Sequence, residues 1–268
     1  MKHQKTDEKL SAESINTQKS KKQGLLGHFE TILRQFQSLA FVLFLAPIAL
    51  MYVFCIGAAV TPAIYLFSLG HEMFKNSNLV MQAFVGGISL GFGFVGFVFV
   101  LIFVVPLCNW PFRHLVKSYR GPWFSLESIP WFYHNALTYL VRYTILNFIT
   151  PTPLNILFFK MMGMKIGKGT MINTANISDP CMIELGDYVT IGGSAYLMAH
   201  YGMKGFLIID KLVVRSKANV GLHAYLMGAV EVGEFAQVLP NTAVLPKTKI
   251  PTGQKFGLSA KVEQEDIS

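Results

Sequence analysis

The chain has 268 residues, 52% of them apolar, and a mean hydropathy of +0.42; an ordinary water-soluble domain is less oily, so a membrane is implied. Only 14% of residues are charged, with a formal net charge of +8, a balance that anionic lipid, phosphate and nucleic acid all attract. Three widely separated cysteines, Cys55, Cys108 and Cys181, suggest neither a disulfide framework nor a CxxC metal site and fit a reducing compartment.

Residues 1–25 have a basic start but no apolar core and no cleavage site, which argues against a signal peptide. They read as a solvated, disordered tail that turns helical near Leu25. Residues 38–70 and 76–112 contain no charged side chain, and each run exceeds the roughly 20 residues needed to cross hydrocarbon. A two-span transmembrane hairpin over residues 26–110 is the economical reading, because buried helices of a soluble core seldom stay uncharged for so long. Glycines 86, 87, 91, 93 and 96 crowd the second span, and Gly87-x-x-x-Gly91 has the small-residue spacing that lets two helices approach, so the pair is expected to pack through it. Lys19, Lys21 and Lys22 precede the first span, and Arg113, Lys117 and Arg120 follow the second, which places both termini in the cytoplasm.

Residues 111–163 hold Trp123, Trp131, Tyr133, Tyr139 and Tyr143, residue types that settle at headgroup level. Helices lying on the inner leaflet are expected there, with His134 as an interfacial residue. The rival is a third span over residues 129–149, which would move the C-terminus outside and bury Arg142 at roughly 2.5–3.5 kcal/mol on insertion scales.

After Gly163 the texture changes to a period of six. Val214, Val220, Leu226, Val232, Val238, Val244 and Ile250 follow one another at that interval, and four positions after each comes Ala218, Ala224, Val230, Ala236, Thr242, Thr248 or Gln254. Leu185, Ile191 and Leu197 repeat the same interval earlier in the chain, and Ile166 and Ile172 repeat it out of phase with them. A period of six is neither 3.6 nor 2. It fits a triangular coil with one short strand per side: a large aliphatic residue fills each side, a small one fits near each corner, and glycines 167, 186, 192, 221 and 233 serve the turns. Stacked coils form a parallel β-helix.

"IGKGTMI", "IELGDYVTIGG" and "VEVGEFAQVLPNTAVLPKTKIPTG" resemble the hexapeptide-repeat acyltransferases over residues 164–262. The resemblance implies a left-handed parallel β-helix, so the expected fold is a membrane α-helical hairpin joined to an all-β left-handed parallel β-helix, with residues 263–268 as a tail. It also implies a homotrimer with sites between neighbouring protomers. A looser similarity, from "SLESIPWF" through "TPLNILFFKMMGMKIGKGTMI" with the preceding spans, is to the terminal membrane domain of polylysine-type nonribosomal peptide synthetases.

The hexad register breaks between Leu197 and Val214, a gap of 17 residues, so a loop must leave the coil there, and His200 sits at its base. In the family such a loop carries the catalytic histidine, which makes His200 the expected general base for acyl transfer from a thioester to a hydroxyl or amine. Imidazole suits that task because its unperturbed pKa is near neutrality. A carboxylate would fix its tautomer, and Asp179, Glu184 and Asp187 are the candidates about a coil upstream. His223, three residues after Val220, reads as an outward surface or subunit-contact residue. Lys211, Arg215, Lys217, Lys247, Lys249, Lys255 and Lys261 fall in the later coils. Arg215, Lys217, Lys247 and Lys261 are the candidates to hold the phosphates of coenzyme A, unless they are a solvated or membrane-facing patch. "GLSAKV" resembles a family motif near the acyl-CoA channel, with Ser259 in place of proline.

No permanently bound cofactor is expected; acetyl-CoA or a longer acyl-CoA would be a co-substrate. No metal is expected either, since the related β-helical zinc carbonic anhydrases need three converging histidines and this region has only His200 and His223. The reading is a multi-pass protein of the inner, cytoplasmic membrane that acylates a membrane-associated acceptor such as a lipid-linked sugar. Its partners would be membrane lipid, acyl-CoA, that acceptor and two further copies of itself, with no nucleic acid. A carrier-protein thioester as donor, or a non-catalytic trimeric scaffold, are the alternatives.

Overall fold

A computed structural model describes residues 19–257, residue 21 excepted. Most of the expected N-terminal tail, the tail at 263–268, Ser259 and Lys261 lie outside the described residues. Helix α1 (Gly24–Gln35) is a separate element ahead of the long helices. Its Glu30 is buried against Arg34 and Lys22, and Lys22 also reaches Glu127 at 2.6 Å, while Leu25, Leu26, Phe29 and Ile32 stay exposed. Helices α2 (Gln37–Phe74) and α3 (Leu79–Leu115) form an antiparallel pair, and both are long and apolar enough to cross a membrane. The turn between them ends where the Asn78 side chain caps α3 by accepting from the Met81 N–H at 2.9 Å.

The glycines that bring α2 and α3 together are not the expected ones. A Cβ on Gly93 would stand 2.5 Å from the Ala63 Cα, and one on Gly96 3.0 Å from the Pro62 Cβ. Gly87 and Gly91 have nothing within 4 Å of such an atom, so the Gly-x-x-x-Gly spacing faces away from the hairpin's seam. Small residues recur through this span, and packing selects those that face the partner helix. Cys55 and Cys108 are free thiols that face each other across the same seam, sulfur to sulfur at 3.8 Å.

Strand β1 (Tyr119–Pro122) and helix α4 (Ile129–Val141) follow, then a π-helical turn over Arg142–Leu146 and helix α5 (Pro153–Met161). At 13 residues α4 is too short to span. Arg142 instead donates to Asn176 Oδ1 at 2.7 Å and lies over the rings of Tyr139, Tyr143 and Tyr196. Nor does α4 lie free on a leaflet: Trp131 and Tyr133 are buried in the protein, and only Tyr143 of the aromatic set is largely exposed. His134, read as interfacial, is fully buried.

The period of six builds the rest. The first coil is β2 (Lys165–Ile166), β3 (Met171–Ile172) and β4 (Ile177–Ser178); the second is β5 (Ile183–Leu185), β6 (Thr190–Ile191) and β7 (Tyr196–Met198). The chain then leaves as a hairpin, β8 (His200–Met203) and β9 (Phe206–Ile209). It returns for a third coil, β10 (Leu212–Val214), β11 (Asn219–Val220) and β12 (Tyr225–Leu226), and a fourth, β13 (Glu231–Val232), β14 (Gln237–Val238) and β15 (Ala243–Val244). A partial fifth holds β16 (Lys249–Ile250) and β17 (Lys255–Phe256). Three parallel sheets result, one per side, of a β-helix.

Ile166, Leu185, Val214, Val232 and Ile250 stack on one side, and Ile172, Ile191, Val220, Val238 and Phe256 on the next. Ile177, Leu197, Leu226 and Val244 fill the third. All but the terminal Ile166 and Phe256 are buried, each worth about 1.5–3 kcal/mol relative to exposure. Ile166 and Ile172 therefore belong to the same stacks; the phase slips because the chain makes an irregular corner and a 3-10 turn at Pro180–Met182 before Leu185.

The glycines have another role than turning. The corners with positive φ are occupied mostly by other residues, among them Tyr188, Lys217, His223, Ala229, Phe235, Asn241 and Lys247. Glycines 221 and 233 follow their aliphatic residues without positive φ, and a Cβ there would stand 2.5 Å from the Pro240 nitrogen and 2.6 Å from the Thr252 nitrogen. They let one coil's backbone lie against the next. The expected loop is likewise more ordered than a loop: β8 and β9 pair antiparallel, and β1 adds to β9 in the register Arg120 opposite Ile208.

Candidate functional site

Asp179 stands at the first irregular corner, in the left-handed region at φ 59, and His200 opens the hairpin at the second break. The two meet: His200 Nδ1 lies 2.5 Å from Asp179 Oδ2. Asp179 is fully buried, and three further donors fill its oxygens. Trp131 Nε1 gives to Oδ1 at 2.7 Å, Asn135 Nδ2 to Oδ1 at 2.6 Å, and the Ala199 N–H to Oδ2 at 3.0 Å. Trp131 and Asn135 are four apart on α4, which puts them on one helix face. Asn135 also accepts from the Asp179 N–H at 3.3 Å, holding the left-handed corner in place.

Burial alone would raise the Asp179 carboxyl, but the facing charge and hydrogen bond of His200, helped by Trp131, pull it below the ordinary carboxylate range. An ionised carboxylate can only accept, so the bond to Asp179 takes the proton on His200 Nδ1 and leaves Nε2 as the ring nitrogen that the acid does not engage. The ring is steadied edge-on against Trp131, centroids 4.9 Å apart at 68°, and its side chain keeps 17% of its surface accessible. A buried, fully bonded acid that fixes the tautomer of a partly open imidazole is the arrangement a general base needs.

The other predicted residues are elsewhere. Asp187 Oδ1 accepts from the Lys168 N–H at 2.7 Å at a coil corner, and among the described residues no bond joins it to His200, so of the three candidate acids Asp179 alone meets the imidazole. Glu184 is held between Lys165 and Lys211, both at 2.9 Å. His223 occupies an exposed corner at φ 53. The basic candidates among the described residues have separate surroundings. Arg215 binds Glu231 through Nε at 3.0 Å and Nη2 at 2.6 Å, Lys217 lies over the Phe235 ring at 4.9 Å, and Lys247 lines a cavity with Arg120 and Lys204.

The grip of α4 on the site was not visible in the sequence. Trp131 looked like a headgroup anchor and Asn135 like nothing in particular; the signal, W-x-x-x-N on a helix, is too common to stand out. Behind them, His134 Nδ1 lies 3.0 Å from Asn109 Oδ1 of α3, and Asn109 Nδ2 donates to the Met162 sulfur at 3.5 Å. Burial pushes the His134 pKa down to about 4, so this imidazole is neutral, and its Nε2 has no partner among the described residues. Tyr139 OH and Ser178 Oγ, 3.0 Å apart, add a further tie between helix and coil. Among the described residues no group of three or more His, Cys, Asp or Glu could hold a metal.

No protein-family model matches the sequence, and no curated protein does. Among solved structures the chain is similar to a maltose O-acetyltransferase from Clostridium difficile 630, at 11% identity and a TM-score of 0.40, over 53% of this chain and 88% of that one. A hexapeptide-repeat-containing acetyltransferase from Vibrio cholerae gives 10% identity and a TM-score of 0.35, over 46% and 84%. A serine acetyltransferase from Neisseria gonorrhoeae gives 13% and 0.30, over 75% and 83%.

Proposed function

We propose that the protein is a membrane-anchored acyltransferase. The observation that carries this reading is the His200–Asp179 pair, with its carboxylate kept ionised by four donors and its imidazole partly open. Acyl transfer is also the reaction named for the three solved structures. In the proposed step an acceptor hydroxyl or amine attacks the carbonyl of an acyl-CoA thioester and gives up its proton to His200 Nε2. The new C–O or C–N bond forms, the C–S bond breaks, and the proton passes to the departing thiolate. Asp179 stabilises the imidazolium that exists between the two transfers. Backbone N–H groups of the coil are the candidates for the oxyanion.

The coil is read as left-handed and the active assembly as a trimer with sites between protomers. The two long helices fix the enzyme in the cytoplasmic membrane with the coil on the inner side, so the acceptor is drawn from that leaflet, a lipid-linked sugar being the class favoured. The donor phosphates are assigned to Lys217, Lys247, Lys261 and the neighbouring protomer, with Arg215 already engaged by Glu231.

The test is acetyl transfer by the purified full chain in detergent, offered acetyl-CoA with mixed bacterial membrane lipids and glycans. Loss of transfer in His200→Ala and Asp179→Asn, but not in His223→Ala, supports the reading when all three variants keep the parent's oligomeric state. A wild-type protein that neither binds nor consumes acyl-CoA overturns it in favour of a carrier-protein donor or a scaffold.

A further inference from the structure

Helix α1 carries two stripes that face opposite ways. Gly27, Glu30 and Arg34, three and four residues apart, form one of them and turn into the protein. A Cβ on Gly27 would stand 2.1 Å from the Lys22 carbonyl oxygen, so the chain ahead of the helix folds back tightly over this stripe. Glu30 is paired with Lys22 at 3.3 Å and with Arg34, and Arg34 Nε donates to the Phe124 carbonyl at 3.4 Å. Lys22 also reaches Glu127 at 2.6 Å. These ties bind α1 to the segment between β1 and α4 and fix its rotation.

Leu25, Phe29, Ile32 and Phe36, spaced four, three and four residues apart, form the other stripe, and all four are exposed, Leu25 at 88% and Phe36 at 57%. Each forgoes about 1.5–3 kcal/mol relative to burial. The stripe does not end with the helix. Residues 35–70 carry no charged side chain, and Leu45, Leu50 and Val53 of α2 are exposed in the same way, so along the chain one apolar surface runs from Leu25 into α2. The medium that covers α2 therefore reaches α1 as well. At Phe36 the backbone leaves the helical region, at φ −111 and ψ 58, which makes α1 a separate helix and not the first turns of a span. Its anchors, Phe124 and Glu127, come soon after α3 ends at Leu115, so α1 is held beside the end of the hairpin where α2 begins and α3 stops. We propose that the stripe of Leu25, Phe29, Ile32 and Phe36 lies in the headgroup and upper acyl layer of the leaflet in which α2 begins, as an amphipathic helix in the membrane plane. Because its charged stripe grips the segment that leads into α4, α1 ties the Trp131 end of the site to the lipid surface. The inference rests on the membrane reading of α2 and α3 and is independent of acyl transfer.

The experiment places the photoreactive residue p-benzoylphenylalanine at single exposed positions of the full chain, reconstituted into vesicles of phosphatidylethanolamine and phosphatidylglycerol. On irradiation the ketone takes a hydrogen from a C–H bond within reach and the two radicals join, so the neighbour stays covalently attached. Phe29→p-benzoylphenylalanine and Ile32→p-benzoylphenylalanine should each yield lipid adducts by mass spectrometry, comparable in amount with Val53→p-benzoylphenylalanine on the outer surface of α2. Tyr188→p-benzoylphenylalanine, on an exposed corner of the coil, should yield none. Cross-linked chain dimers at Phe29 and Ile32, with lipid adducts at Val53, overturn the proposal in favour of a second copy of the chain. Absence of any adduct at Phe29 and Ile32 while Val53 takes lipid overturns it too, as do lipid adducts at Tyr188 equal to those on α1. A chain that takes no lipid at Val53, Phe29 or Ile32 refutes the membrane reading and the place of α1 together.

Discussion

The coil and the helical hairpin bury their side chains by opposite rules. In the coil, the aliphatic stacks face inward and twelve of their fourteen members are buried by the chain itself. In α2 and α3 the large side chains face outward: Val53 is 71% exposed and Phe92 66%, while burial gathers at residues such as Leu101, Ile102 and Val105, where α3 meets the rest of the protein. The coil supplies its own apolar medium; the hairpin leaves much of its apolar surface outside the fold. The candidate site belongs to neither alone, because Asp179 and His200 come from the coil and Trp131 and Asn135 from the helical half.

That division can be broken at its joint. His200→Ala should reduce acyl transfer by roughly 10²–10⁴-fold and, by taking one partner from the buried Asp179 carboxylate, lower stability by about 1–3 kcal/mol without unfolding the coil, as measured by initial rates and thermal unfolding followed by circular dichroism. His134 probes the helical side. Its folded pKa of about 4 lies below the ordinary 6.5, so the unfolded chain takes up this proton at a higher pH than the folded one. The protein should lose stability as pH falls from about 6.5 towards 4, on the order of 2–3 kcal/mol, and His134→Leu should flatten that segment of the stability profile. Asp179, held below its ordinary range, contributes stability above the usual carboxylate pKa that is lost at still lower pH.

Trp131→Phe keeps the ring and removes one donor from the buried carboxylate. A cost of about 1–3 kcal/mol is expected, together with an upward move of the acid limb of the activity profile, because a less stabilised Asp179 protonates earlier. Urea titration and a pH–rate series read the two effects. The glycines sharpen the contrast directly, and one of them carries the smallest effect. Gly233→Ala forces a methyl against the next coil's backbone and should cost about 1–3 kcal/mol, whereas Gly87→Ala meets nothing within the chain and should leave stability within about 0.5 kcal/mol, both read by thermal unfolding in detergent.

The coil was legible because each side repeats one packing demand, and the two breaks in its period mark the corner of Asp179 and the hairpin of His200. Asp179 could not be told from Asp187 and Glu184 by distance along the chain. They are separated by a pair of donors on a helix more than forty residues upstream, a contact with no local signature. The span lengths were legible from hydropathy, but which glycines touch depended on helix rotation, which composition does not encode. β1 was missed because four residues, Tyr-Arg-Gly-Pro, carry no strand pattern and become a strand only when β9 arrives.

That late arrival orders events in time. Tyr119 pairs with Ile209, ninety positions further along the chain. At a synthesis rate of about 5–20 residues per second, β1 waits roughly 5–20 s at the end of α3 with its backbone groups unpaired. Trp131 and Asn135 wait similarly for Asp179, and Asp179 for His200. The two long helices are therefore complete well before His200 can meet Asp179, and the candidate site closes only on a helical half that is already made.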